Sequence, residues 1–108
     1  MITMTNGETS TPTFWQSFNA LMDIKGMSAA SKFELVGLKK ELRSKVEDVR
    51  ETMKDYEGKE DFKQQMDDLM KKEFTLESKP VSLRAASLDQ LSSEDLFQLE
   101  KLINVEEN

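Results

Sequence analysis

The sequence predicts a mainly α-helical single domain, three to four helices around one long central helix, with an antiparallel helical hairpin and an extended stretch before the last helix. Three observations predict it. Between Ser28 and Gly58 there is no proline, and Phe33, Leu35, Leu38, Leu42, Val46, Val49, Met53 and Tyr56 recur mostly three or four residues apart, which lays them along one stripe of a long helix. Shorter stripes of the same period stand on either side of it. The length, 108 residues, suits a single core.

Residues 1–11 are rich in threonine and contain Gly7, a composition that predicts a flexible N-terminal arm unless a partner orders it. The domain proper is expected over 12–108. Thr11 and Pro12 form a helix start, N-cap and first helical position. The first helix, about 12–25, carries Phe14, Trp15, Phe18, Leu21 and Met22 on one face and stops near Gly26. This aromatic stripe reads as core rather than binding surface.

Ser28 is the expected N-cap of the long helix, 28–57, and Gly58 its stop. Gly37 lies inside it at a cost of about 1 kcal/mol relative to alanine, which predicts close approach of another helix at that point, with a hinge as the alternative. The second half of this helix is densely charged. Glu41 with Lys45, and Glu47 with Arg50, have spacings that support an exposed helix. A third helix, about 59–73, places Phe62, Met66, Leu69 and Met70 on one face and, after a glycine-containing turn, folds back on the long helix as the hairpin.

From 74 to 88 apolar and polar residues alternate around Pro80, as either two short strands pairing with each other or plain loop. The last helix, 92–104, opens with Ser92 and Asp95 in capping-box spacing and buries Leu96, Leu99, Leu102 and Ile103.

Charge and composition exclude several function classes. The formal net charge is -6, with 33% charged residues, and an acidic chain lacks the basic surface that displaces counterions from nucleic-acid phosphates. Seven basic and seven acidic residues cancel between Ser28 and Gly58, whereas three basic residues face seven acidic ones from Phe74 to Asn108. That acidic end reads as a solvated face rather than a nucleic-acid mimic. The first residues show no secretion signal, and no apolar run is long enough to span a bilayer.

With no cysteine and no histidine, zinc sites, Ser-His-Asp triads and thiol nucleophiles are not available. Glu60, Asp61, Asp67 and Asp68 on the third helix read as solvated charge, because sequence neighbours diverge by about 100° on a helix. No catalytic, cofactor-binding or metal-ligating set is expected. Met22, Met27, Met53, Met66 and Met70 read as packing, with a methionine-lined groove between the hairpin helices as the alternative.

The order of features, an aromatic helix ending near KG, a long charged helix, a short helix running into KKEFTLES, then LSSEDLFQLEKLI, resembles that of small helical proteins encoded in tailed-bacteriophage genomes. The resemblance covers most of the chain after Pro12 and transfers no site residue. It implies a phage-encoded protein that acts by contact, located in the host cytoplasm or the virion. The expected function is therefore a non-enzymatic protein-protein interaction module, a virion or assembly adaptor able to form homo-oligomers. An inhibitor of a host protein is the alternative, and a small-ligand-binding protein, which needs a polar-lined pocket, is the alternative of another class. The expected partner surface is Lys39, Arg43 and Arg50 on the long helix, and second Glu94 and Glu100 on the last.

Overall fold

The computed structural model describes residues 2–106; Met1 of the expected arm and residues 107–108 of the expected domain lie outside them. Its elements run β1 (Ile2–Thr5), α1 (Asn6–Thr9), α2 (Pro12–Met22), α3 (Ala29–Tyr56), α4 (Phe62–Lys71), β2 (Glu73–Leu76), β3 (Val81–Arg84), α5 (Ala85–Leu88), α6 (Ser93–Leu99), a 3-10 turn (Glu100–Leu102) and β4 (Ile103–Glu106). The chain is mainly helical around the long α3, with two small two-stranded sheets. Side-chain caps define the main helix starts: Thr11 accepts from the Phe14 N–H, Ser28 from Ser31 and Ser92 from Asp95, each satisfying an otherwise orphaned donor.

The core lies where α2, the first half of α3 and the two sheets meet. Phe14, Phe18 and Leu21 of α2, and Leu35, Leu38 and Leu42 of α3, are fully buried there with Leu76, Leu99 and Leu102. Beyond Leu42 the stripe on α3 thins. Val49 is buried, while Val46, Met53 and Tyr56 are only half-covered. The chain then turns at Gly58, whose φ of 80° suits a residue without a side chain, and returns along α3. Thr52 and Tyr56 share a cleft with Gln65, Met66 and Leu69, and further along the Lys45 ammonium stands 6.0 Å from the Phe74 ring centre. No residue of α4 is fully buried, so this end projects from the core.

The structure corrects the expected arm. β1 pairs antiparallel with β2, Ile2 opposite Leu76 and Met4 opposite Phe74, and Ile2 and Met4 are buried. A capping box between Thr5 and Glu8 starts α1, and α1 lies on α4: the Asn6 amide donates to the Leu69 carbonyl at 2.9 Å, and a Cβ on Gly7 would stand 3.1 Å from the Met70 carbonyl oxygen. Burial of the two alternate apolar side chains holds the segment without a partner.

The expected pairing within 74–88 is also corrected. β2 and β3 do not pair with each other; β3 pairs in parallel with β4, Val81 opposite Ile103 and Leu83 opposite Val105. Residues 85–88 are helical, the third long helix ends at Lys71 because 73–76 joins β1, and the last helix stops at Leu99 because 103–106 joins β3. The connection from β3 to β4 runs through α5 and α6, as a parallel pair requires. It is fastened twice. The Ser17 hydroxyl of α2 donates to the Asp95 carboxylate at 2.8 Å, and Gln90 exchanges two 2.9 Å hydrogen bonds with the Lys25 backbone.

Among the described residues Gly37 receives no close helix: a Cβ there would meet nothing of them within 4 Å. Glu41 does not reach out to solvent but accepts from the Glu77 and Ser78 N–H groups at 2.8 and 2.9 Å and from the Ser78 hydroxyl, pinning the β2–β3 connection to α3. Burial opposes ionisation of Glu41, but these donors and the nearby Lys45 outweigh it and hold the carboxyl below its ordinary range. No described helix is long and apolar enough to cross a membrane.

Candidate functional site

Trp15, Asn19, Arg43, Val46, Glu47 and Arg50 line a groove of about 480 Å³ between α2 and α3. On α2 the consecutive aromatics diverge: Phe14 is fully buried while Trp15 is half-exposed at the groove. The indole is nevertheless fixed. Its Nε1 donates to the Thr9 carbonyl at 2.8 Å, and its ring meets Phe14 edge-on at a centroid separation of 5.3 Å and Phe18 at 5.7 Å. A large side chain held in one rotamer loses little entropy when a partner covers it.

The opposite wall comes from α3, where Arg43, Val46, Glu47 and Arg50 stand at i, i+3, i+4 and i+7, one helical face. Two arginines therefore stand on either side of Val46 along this face, opposite the indole that shares the groove. Arg50 Nη1 approaches Glu47 Oε2 at 3.5 Å with both side chains exposed, a pair that contributes little and exchanges readily. The groove is an open trough with a rigid aromatic and paired forked donors. Forked guanidinium donors of this kind suit bidentate pairing with carboxylates.

Of the expected partner surface, the structure brings Arg43 and Arg50 together here. Lys39 is half-buried one turn before Arg43 and does not line the groove. Glu94 and Glu100 are exposed on and just beyond α6. Glu94 accepts from Gln98 at 3.4 Å, and Glu100 borders a second cleft with Phe97, Phe14 and Glu8. Lys101 donates to the Glu8 carboxylate at 3.0 Å. Burial opposes ionisation of Glu8, but the Thr5 N–H and Lys101 outweigh it and keep its carboxyl below the ordinary range. Another trough, about 880 Å³, lies beside Gly37 and Phe33 of α3 and is walled by Ser78, Lys79 and Pro80.

Three aromatic residues of these surfaces are not found by reading the sequence as above. Trp15 reads as core and Phe97 goes unremarked, and the expectation that Phe33 lies on the buried stripe of the long helix is corrected: Phe33 is 80% and Phe97 71% exposed. The available signal is phase. Phe33 precedes Leu35 by two residues and Phe97 precedes Leu99 by two, so neither lies on its helix's buried line. Leu96, expected in the core, is itself 36% exposed because Leu99 of α6 and Leu102 of the 3-10 turn face inward instead. Among the described residues no three Asp or Glu side chains converge as a metal-binding group. No family model matches the chain, and no curated protein and no solved structure matches it.

Proposed function

We propose that this chain is a non-enzymatic protein-interaction module and that the α2–α3 groove is its contact site. The observation that carries the reading is the immobilised Trp15 lining one groove with Arg43 and Arg50. Tryptophan and arginine dominate the binding energy of protein interfaces when they stand in a pocket that a partner can seal. The chain's net charge is -6, yet this trough presents two guanidinium groups against one carboxylate, so its field selects an acidic partner.

The resemblance to small phage-encoded proteins supports a virion or assembly adaptor as the setting. In that role the antiparallel hairpin of α3 and α4, which projects from the core, supplies reach while the groove supplies the contact. The test is capture of phage structural proteins from an infected-cell lysate by the immobilised chain, compared with a Trp15→Ala/Arg43→Ala/Arg50→Ala variant whose helical circular dichroism is intact. Retention by the parent and loss of at least about tenfold by the variant is the expected result. Equal retention by both would remove the groove from the function, and capture of a single host protein instead would point to an inhibitor.

A further inference from the structure

We propose that the occupant of the α2–α3 groove is a second copy of this chain, which docks its Glu94–Phe97–Glu100 stripe there. The inference rests on the reading of the groove as a contact site and names its partner. The stripe is the groove's complement in order and in charge. Glu94, Phe97 and Glu100 follow one another at three-residue steps on α6 and its 3-10 extension, so an exposed aromatic ring stands between two exposed carboxylates. The groove is lined by Val46 and the Trp15 indole together with two guanidinium groups, and along α3 Val46 falls between Arg43 and Arg50.

The spans agree as well. Arg43 and Arg50 are seven residues apart, about 10.5 Å along α3, and Glu94 and Glu100 six residues apart, about 9 Å along α6. With Phe97 laid on the indole, each carboxylate comes within reach of one guanidinium. The ring gains aromatic and cation–π contacts, and the carboxylates gain bidentate donors.

Among the described residues each half has only weak, exposed partners within one chain, Glu47 for Arg50 at 3.5 Å and Gln98 for Glu94 at 3.4 Å. Phe97 is 71% exposed, a large apolar side chain that gains by being covered. Glu100 lies beside Lys101, but the Lys101 ammonium is bound to Glu8. Phe14 borders the cleft beside Phe97 and Trp15 borders the groove. These consecutive residues point about 100° apart around α2, so one chain's stripe turns away from its own groove and toward a neighbour's. Glu47 sits between the arginines as a modest repulsive element, displaced when Arg50 exchanges it for the incoming carboxylate.

The experiment is sedimentation equilibrium of the full chain across concentration and salt, with R43E/R50E, E94R/E100R and an equimolar mixture of the two. All four positions are exposed, and thermal melts check that each variant folds. The parent should associate with concentration and dissociate as salt rises, and each variant alone should weaken association by at least about tenfold. The mixture, in which each reversed groove meets a reversed stripe, should associate again. A parent that stays monomeric throughout, or variants that associate as the parent does, would overturn self-docking. If self-association is absent while lysate capture still depends on Trp15, Arg43 and Arg50, self-docking fails and the contact-site reading stands. If both are absent, both fall.

Discussion

Gly37 is visible as a costly residue in a helix, but no described neighbour requires it: the space a methyl group would fill is open. Gly37→Ala is therefore expected to stabilise the fold by about 0.5–1 kcal/mol, read as a rise of a few degrees in thermal midpoint. A drop would reveal a backbone role for the glycine. Glu41 is the opposite case. Its spacing from Lys45 suggests an ordinary surface pair, but its carboxylate holds two backbone N–H groups of the β2–β3 connection. Glu41→Ala should cost about 1–3 kcal/mol in a denaturant melt, far more than an exposed pair would. At the candidate site Arg43 and Arg50 are legible because charge at i, i+7 spacing shares a face. Trp15 is not, since a periodicity cannot say which of two adjacent aromatics is buried.

Elements were legible where the signal was local. Caps at Thr11, Ser28 and Ser92 and the apolar line through Leu35, Leu38 and Leu42 position α2, α3 and α6 without reference to the rest of the chain. The strands were not, because each is four residues long and finds its partner far away in sequence. Ile2 and Met4 alternate with threonine as a half-buried strand should, but a run that short acquires meaning only when Leu76 and Phe74 lie opposite. Met4→Ala should therefore cost about 2–5 kcal/mol, as for any core residue, whereas a flexible arm would tolerate the change without effect on an equilibrium melt. At the other end, Leu102 and Ile103 continue a helical line yet Ile103 enters a parallel strand. Pairing with the buried Val81 and Leu83 outcompetes one further helical turn.

At the scale of the molecule the α3–α4 projection sets the shape. The principal extents are 54 × 25 × 20 Å and the radius of gyration 15.6 Å, against about 13 Å for a compact chain of this length. Among the described residues three carboxyls are held below their ordinary range, and all fasten one part of the chain to another. Glu8 and Glu41 do so as described, and Asp95 is lowered first by the Ser17 hydroxyl, then against some burial by the Ser92 N–H and hydroxyl. A carboxyl lowered by folding contributes stability above its unfolded value, near pH 4, and that contribution disappears as pH falls through the folded value. The thermal midpoint should thus be nearly flat between pH 7 and about 5 and fall steeply below about 4. Glu41→Gln should lower the midpoint at pH 7 and shallow the acid decline. An unchanged decline would show that Glu41 does not contribute to it.

By itself the sequence determined that the chain is mainly helical, where its long helix starts and turns, and that histidine and cysteine chemistry is absent, because composition, caps and a 3.6-residue period act over one or two helical turns. Tertiary structure alone decided that the first residues complete a sheet with 73–76 and that the last described ones join 81–84. It also decided that Trp15 stands beside Arg43 and Arg50. Each of these is a contact between segments distant in sequence, fixed by which apolar faces can be buried together rather than by any local preference.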